Sequence, residues 1–433
     1  MEKIIQPKIL KGFRDFLPQD ELLRQSLIET ITRVYKSFGF VPIDTPVLEY
    51  ADVLLRKSNG ETEKQVFRFE DAGGRDVALR FDLTVPFARY TASHKDELHF
   101  PFKRYHIAKV WRGEKPQAGR YREFMQCDID TVGSASITCD FEILFVIVET
   151  FRALGIENFS LHVNHRALFN RFLKNENLAE KSEEILRSVD KLAKQGKDSV
   201  TNELIEITGN DECAKKILSY VETRGDFLET LSHIENLAGG KNEDSERLRS
   251  LFDLMKNFSL EKYFTLDPSI TRGLDYYTGI VFETFLDDAR EIGSVCSGGR
   301  YDNLAGLYMK ETLPGVGASI GLDRLIAALG EKLNFEKPAL DAEIFCLNES
   351  DFASYERCAF ELRALGIFAE VFPDAKKMAQ QYALAESKKI RWGIFINEKN
   401  IAEKTLDLKN LQTREMHENV SVQDAQAIIR SNK

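Results

Sequence analysis

Arginines and carboxylates alternate with apolar residues in several short stretches of this 433-residue chain. They read Arg80-Phe-Asp82-Leu-Thr84, Arg112-Gly-Glu114 and Arg120-Tyr-Arg122, followed by Gln126, Asp128 and Asp130. On a strand, residues two apart project to one face, so Gln126, Asp128 and Asp130 share a side. A buried carboxylate is costly unless paired, so such a face must be solvated or must bind something. By alternation alone, a solvent-facing sheet surface or a set of structural ion pairs also fits. The stretch Arg272-Gly-Leu-Asp275-Tyr276-Tyr277-Thr278-Gly279 adds a guanidinium, a carboxylate and two phenols in one turn-then-strand segment. Arginine donates bidentately to phosphate and stays protonated, while tyrosines offer apolar walls with hydroxyls that can orient a polar ring. A core aromatic pair beside a surface arginine would look the same.

Other chemistries find no support. No G-x-x-x-x-G-K-[ST] occurs, which excludes a P-loop. Gly315-Val-Gly317-Ala-Ser-Ile-Gly321 lacks the dinucleotide fingerprint's spacing and reads as a tight turn into a helix. His162 and His165 sit in strand-like text without a third ligand nearby, so no metal site is read there. Cys127, Cys139, Cys213, Cys296, Cys346 and Cys358 are scattered without a C-x-x-C, which indicates neither zinc nor a disulfide framework.

The elements that must position these residues follow from periodicity. Residues 20–38 read as an amphipathic helix through Leu22, Leu23, Leu27, Ile31, Val34 and Phe38, stopped by Gly39. Pro42 and Pro46 lead out as extended chain. Short β-rich runs (Val66–Phe69, Val77–Leu79, Arg104–Trp111, Phe124–Ile129) with glycine-containing turns suggest an antiparallel sheet. No proline lies between Pro116 and Pro268, and residues 166–262 read as a helical insertion. Strand text returns at 279–286, and a helix starts near Gly321. After a polar connector at 331–340, strands at Glu343–Leu347, Ala369–Phe372 and Gly393–Asn397 alternate with helices at 350–365 and 375–389. That rhythm predicts a small α/β domain of mostly parallel strands over 341–433.

Composition sets outer bounds. The chain is 43% hydrophobic and 30% charged, with 59 basic against 69 acidic side chains and a formal net charge of −10. Such a balance argues against indiscriminate grip on phosphate backbones, though a local basic face remains compatible with a nucleic-acid partner. No apolar run is long enough for a membrane span, and MEKIIQPKILKGFRD lacks a secretory signal's apolar core. The expectation is a cytoplasmic protein without a membrane partner.

Six blocks in order then resemble a family. KGFRDFLP at 11–18, LRFDLTVPFARY at 79–90, WRGEKPQAGRYREFMQCDID at 111–130, TRGLDYYTG at 271–279, SGGRYDNLAG at 297–306 and PGVGASIGLDRL at 314–325 are similar to histidyl-tRNA synthetases. The resemblance implies an α+β fold: a class II antiparallel-sheet catalytic domain over 1–330 carrying the helical insertion, and an α/β anticodon-binding domain. It implies ATP as substrate with Mg2+, L-histidine and tRNA(His) as partners, and a homodimer built on the 20–50 segment.

Residue by residue, the resemblance implies Arg112 at the α-phosphate, Arg272 doing part of a metal's work, and Arg324 at the γ-phosphate. Glu114 would read the adenine amino group and Phe124 would stack on its ring. Asp82, Leu83, Thr84 and Gln126 belong to the histidine site, the α-amino group lying among Asp82, Thr84 and Gln126. Asp130 and Tyr277 would hold the imidazole nitrogens, with Tyr276 lining the site. Positions 81–84 read Phe-Asp-Leu-Thr where many bacterial members have Pro-Glu-Gly-Thr, a pattern like that of the eukaryotic-type subgroup. Arg120 and Arg122, and separately Lys388, Lys389 and Arg391, are the basic candidates for tRNA contact, the latter group reading equally as a charged helix face. The rival reading is a non-catalytic, synthetase-like regulatory subunit of ATP phosphoribosyltransferase.

Overall fold

Pro18 opens the first long helix, Pro18–Ser37, because proline fits where helix N–H groups have no partner anyway. Leu27, Ile31 and Val34 give that helix one buried stripe, and Gly39 at φ +82° turns the chain out of it. The computed structural model describes residues 4–55, 61–117, 119–270, 276–330 and 339–431, so Arg272 lies outside the described residues. Contacts divide the chain into 1–333 and 334–433.

In the first unit the strands run, in chain order, β1 (Val41–Pro42), β2 (Leu48–Tyr50), β3 (Arg68–Glu70), β4 (Asp76–Leu79), β5 (Phe102–Trp111), β6 (Glu123–Val132), β7 (Phe159–His165), β8 (Phe264–Leu266), β9 (Ile280–Leu286), β10 (Cys296–Tyr301) and β11 (Gly315–Gly321). An eight-stranded sheet has the order β1-β5-β6-β11-β10-β9-β7-β8, and β2-β4-β3 form a small second sheet. The large sheet is antiparallel except at its ends, where β1 runs parallel to β5 and β8 to β7. Cys127 and Ile129 face Leu27, Ile31, Leu144, Ile147 and Phe151 from the helices Pro18–Ser37 and Ile137–Ala153. Period-2 alternation then sends Phe124, Gln126, Asp128 and Asp130 to the opposite face.

The 315–321 segment is not a turn but the inner strand β11, between β6 and β10. Its glycines answer a packing demand. A Cβ on Gly317 would lie 1.9 Å from Asp130 Oδ1, and one on Gly315 would lie 2.5 Å from the Tyr301 ring. Glycine inside a strand marks such close approach, which a turn-based reading of the sequence misassigns.

Between β7 and β8 the described chain is helical, ending with Phe227–Leu237 and Glu243–Asn257. Asn210, Asp226 and Asn242 cap helices there by accepting backbone N–H bonds. Asp140, wholly buried, ties this region to the sheet: its Oδ2 accepts from Arg247 Nε at 2.8 Å and its Oδ1 from Arg300 Nε at 2.8 Å.

The second unit carries β12 (Ala342–Ile344), β13 (Ala369–Val371), β14 (Trp392–Phe395), β15 (Leu406–Asn410) and β16 (Met416–Val420), ordered β13-β12-β14-β15-β16. β12 is parallel to β13 and β14, whereas β14-β15 and β15-β16 are antiparallel. The sheet is therefore mixed rather than mostly parallel. Met416–Val420 escaped the sequence reading because it is largely exposed and carries no apolar alternation. Helices Phe352–Ala364 and Met378–Ser387 stand where periodicity placed them. Lys388 caps the latter helix and pairs with Glu370, and Lys389 adopts φ +56° in the following turn. Those two lysines thus sit at a helix end rather than along a helix face. Among the described residues, no helix is long and apolar enough to cross a membrane.

Candidate active site

Cross-strand register assembles the polar face of the large sheet. Arg104 (β5), Asp130 (β6), Gly317 (β11) and Gly299 (β10) lie in one row. His106, Asp128, Ser319, Ser297 and Glu283 lie in the next, crossing from β5 to β9. Side chains directly opposite on antiparallel strands share a face, so residues far apart in sequence become neighbours.

Arg104 is the hub. Fully buried, it places Nη2 2.6 Å from Asp130 Oδ2, donates from Nη2 to the Leu83 carbonyl at 3.1 Å, and packs its guanidinium 4.4 Å from the Phe87 ring centroid. Leu83 thus contributes a carbonyl held by Arg104, while its side chain is buried in the protein. Asp82 precedes helix Thr84–Ser93 and accepts from the Val85 N–H at 3.0 Å, which leaves Oδ2 without a partner. Burial raises the Tyr276 phenol, and the Thr84 side chain opposes that rise.

Burial dominates the electrostatics here. It raises Asp82 to about 6, against pulls from the Val85 N–H, Arg112 and Arg104. Asp128 is raised to about 7 by burial, opposed by Arg104 and pushed further by Asp130. Asp130 is raised to about 6 by burial, opposed by Arg104 and by the Tyr301 hydroxyl, which donates to its Oδ1. Burial also drives the Tyr277 phenol upward, so it stays protonated, and its ring lies 4.9 Å from that of Tyr276. Clustered perturbed groups of this kind are a mark of functional sites.

A cationic end adjoins these acids. Arg112 donates from Nε to the Phe81 carbonyl at 2.9 Å and holds its guanidinium 5.1 Å from the Phe124 ring centroid. Arg120 pairs with Glu114 at 3.3 Å, and Arg122 donates from Nε to the Glu114 carbonyl at 3.2 Å. Arg324 donates to the Ser294 carbonyl at 2.7 Å. Its pKa falls to about 10, first through burial and then through Arg120 and Arg112, with Glu114 and Glu283 opposing. Half-buried guanidiniums that repel one another suit an anion.

The structure therefore brings Asp82, Thr84, Gln126, Asp130, Tyr276 and Tyr277 around one floor, with Arg112, Glu114, Phe124 and Arg324 beside it. Sequence reasoning missed Arg104 and Tyr301, which hold Asp130, and Ser319, which accepts from the Gln126 amide. Their roles come from register, and no local spacing announces it. His162 pairs with Asp267 at 2.8 Å and His165 lies 3.7 Å from Asp244. Among the described residues, no group of three or more His, Cys, Asp or Glu side chains could hold a metal ion.

The family profile described as histidyl-tRNA synthetase matches residues 12–325, and that described as anticodon binding domain matches 341–432. A histidine–tRNA ligase of Treponema denticola is 59% identical over 412 residues, covering 93% of this chain and 92% of that protein. One from Rhodopirellula baltica is 46% identical, covering 95% of each. The crystal structure of histidyl-tRNA synthetase from Nostoc sp. PCC 7120 superposes with a TM-score of 0.87 at 32% identity, covering 99% of this chain and 100% of that one. A Bacillus halodurans structure described as an ATP phosphoribosyltransferase regulatory subunit/histidyl-tRNA synthetase shares the fold, with a TM-score of 0.76 at 21% identity. With family profiles matching 12–325 and 341–432 and a relative 59% identical over 93% of its length, the chain belongs to the histidyl-tRNA synthetase family.

Proposed function

We propose that this chain activates L-histidine with ATP and passes the acyl group to tRNA(His), and that the residues of the sheet face divide that work. In the first step a carboxylate oxygen of histidine bonds to the α-phosphorus while the bond to pyrophosphate breaks. In the second, the terminal 3′-hydroxyl of tRNA attacks the adenylate carbonyl and AMP leaves. Charge builds on phosphate oxygens during activation, so positioned positive charge is the main catalyst. The observation that carries this reading is the adjacency of the acid floor to Arg112, which donates to the carbonyl of Phe81, the residue before Asp82, at 2.9 Å.

Arg112 serves the α-phosphate and Arg324 the γ-phosphate, with Arg272 as the third activating guanidinium. Glu114 reads the adenine amino group, and Phe124, already beside Arg112, stacks on the ring. Asp82, Thr84 and Gln126 take the α-ammonium group. Asp130 and Tyr277 take the imidazole, Tyr277 as a protonated donor. A site that pairs both ring nitrogens rejects side chains lacking them. Magnesium fits as a passenger of ATP, since phosphate oxygens are the hard ligands it prefers and Glu114 and Glu283 border Arg324.

The anticodon-binding domain supplies the second grip on tRNA, with residues 331–340 as linker and Arg120 and Arg122 nearer the acceptor end. Val41, Val47, Leu48 and Tyr50 are exposed apolar residues around β1, an edge strand, and β2. An exposed apolar edge of this kind supports a homodimer through the 20–50 segment. The cytoplasm, where tRNA charging occurs, is the proposed location. Arg112 and Arg324 in place, together with a matched anticodon-binding domain, speak against the regulatory-subunit reading.

The test is ATP–pyrophosphate exchange with magnesium, run against each amino acid in turn. Exchange with histidine alone is expected, Asp130→Ala raising the histidine KM and Arg272→Ala lowering mainly the rate. A folded protein that exchanges with no amino acid would return the regulatory subunit to the front.

A further inference from the structure

Gln126, Asp128 and Asp130 occupy alternate positions on β6, yet only the outer two have a role in the reaction proposed above. Asp128 is 2% exposed. Its position faces His106 across the β5–β6 ladder and Ser319 across β6–β11. His106 does not account for it: that imidazole gives Nε2 to Asp44 at 3.0 Å, and its Nδ1 has no partner.

Ser319 is its other cross-strand neighbour. Gln126 Nε2 donates to Ser319 Oγ at 2.7 Å, and the Ser319 side chain lowers the Asp128 pKa against the rise that burial imposes. That hydroxyl accepts from Gln126 and keeps its own proton to turn toward Asp128. The Gln126 amide is turned with its NH2 toward Ser319, which leaves Oε1 unpaired, and Asp128 is left with Oδ1 unpaired. Asp82 Oδ2 is the third such acceptor of the same floor, the fourth, Asp130 Oδ2, being held by the Arg104 guanidinium at 2.6 Å. Buried acceptors without partners are rare and need an explanation.

We infer that Asp128 Oδ1 is a third acceptor for the α-ammonium group of the amino-acid substrate, beside Asp82 Oδ2 and Gln126 Oε1. An ammonium carries three N–H donors and no acceptor, which matches the number and kind of the unpaired atoms. Charge matches as well. Asp82, Asp128 and Asp130 all interact with Arg104, and burial holds all three above the usual carboxylate range, so a cation placed among them favours their ionised forms. The inference rests on the assignment of Asp82 and Gln126 to the ammonium group and extends that subsite by one residue.

The experiment titrates the full-length protein and Asp128→Asn with L-histidine, with histidinol, which keeps the ammonium, with 3-(imidazol-4-yl)propanoate, which lacks it, and with ATP. Asp128→Asn is expected to weaken L-histidine and histidinol at least tenfold, leaving the deamino acid and ATP within twofold. Ser319→Ala, which preserves the carboxylate but releases its orientation, is expected to show the same pattern with a smaller loss. Equal losses on the deamino acid would move Asp128 to the imidazole, and an unchanged histidine affinity would remove it from the site. Either result overturns the inference. Loss of ATP binding together with a lowered Tm in both variants would mark a purely structural role and overturn it too. If the unaltered protein fails to bind L-histidine, the underlying site assignment fails instead.

Discussion

Arg104 and Asp130 meet across the β5–β6 ladder with 2.6 Å between Nη2 and Oδ2, and both are buried from solvent. Removing one member of a buried pair leaves an uncompensated charge, at a cost of about 3–5 kcal/mol. Arg104→Met is therefore expected to lower the urea midpoint strongly. The deficit should shrink as pH falls below about 6, the value to which burial raises Asp130, because a protonated carboxyl no longer needs a countercharge. Urea unfolding at pH 4.5 and 7.5 measures both effects; a pH-independent deficit would mean that packing against Phe87 is what Arg104 supplies.

Gly317 makes room for Asp130, since a Cβ there would lie 1.9 Å from Oδ1. Gly317→Ala must displace the carboxylate or part β6 from β11. A histidine KM raised tenfold or more is expected in pyrophosphate exchange, with the ATP KM within about threefold. An unaffected histidine KM would remove Asp130 from the imidazole subsite.

The raised carboxyls also give a pH signature. A carboxyl with a folded pKa near 7 and an unfolded value near 4 binds more protons when folded, so its contribution to stability falls as pH rises through that window. His106 and His165, lowered by burial to about 3 and about 4, act in the opposite direction between those values and about 6.5. Comparison with Asp128→Asn cancels the histidines. The Tm of the variant minus that of the parent is expected to increase steadily from pH 4 to 7.5; scanning calorimetry across that range reads it, and a flat difference would show Asp128 to be ordinarily ionised.

Asp140 joins Arg247 of the helical region to Arg300 of β10, and Arg300 continues to Asp302 at 3.1 Å. Asp140→Ala would leave Arg300, only 4% exposed, without its main partner. A loss of about 3–5 kcal/mol is expected. Faster proteolysis within 166–263 should accompany it, because the helical region loses its ion pair to the sheet. Unchanged cleavage there, with normal urea stability, would make the pair a bystander.

Local patterning accounts for much that was legible beforehand. The stripe of Leu27, Ile31 and Val34 specifies a one-sided helix, and alternation along 123–132 specifies which side chains face together. The residue types in the six blocks specified the family, and they supply the residues proposed for its site. Local pattern misled at Gly315–Gly321, where glycines that suggest a turn instead admit Asp130 and Tyr301 to an inner strand. It was silent on β16, an exposed strand without apolar rhythm. Arg104, Ser319 and Tyr301 became visible only in the folded sheet. Each lies on a different strand from the side chain it holds, and strand order with register, both products of long-range pairing, decides which of them meet.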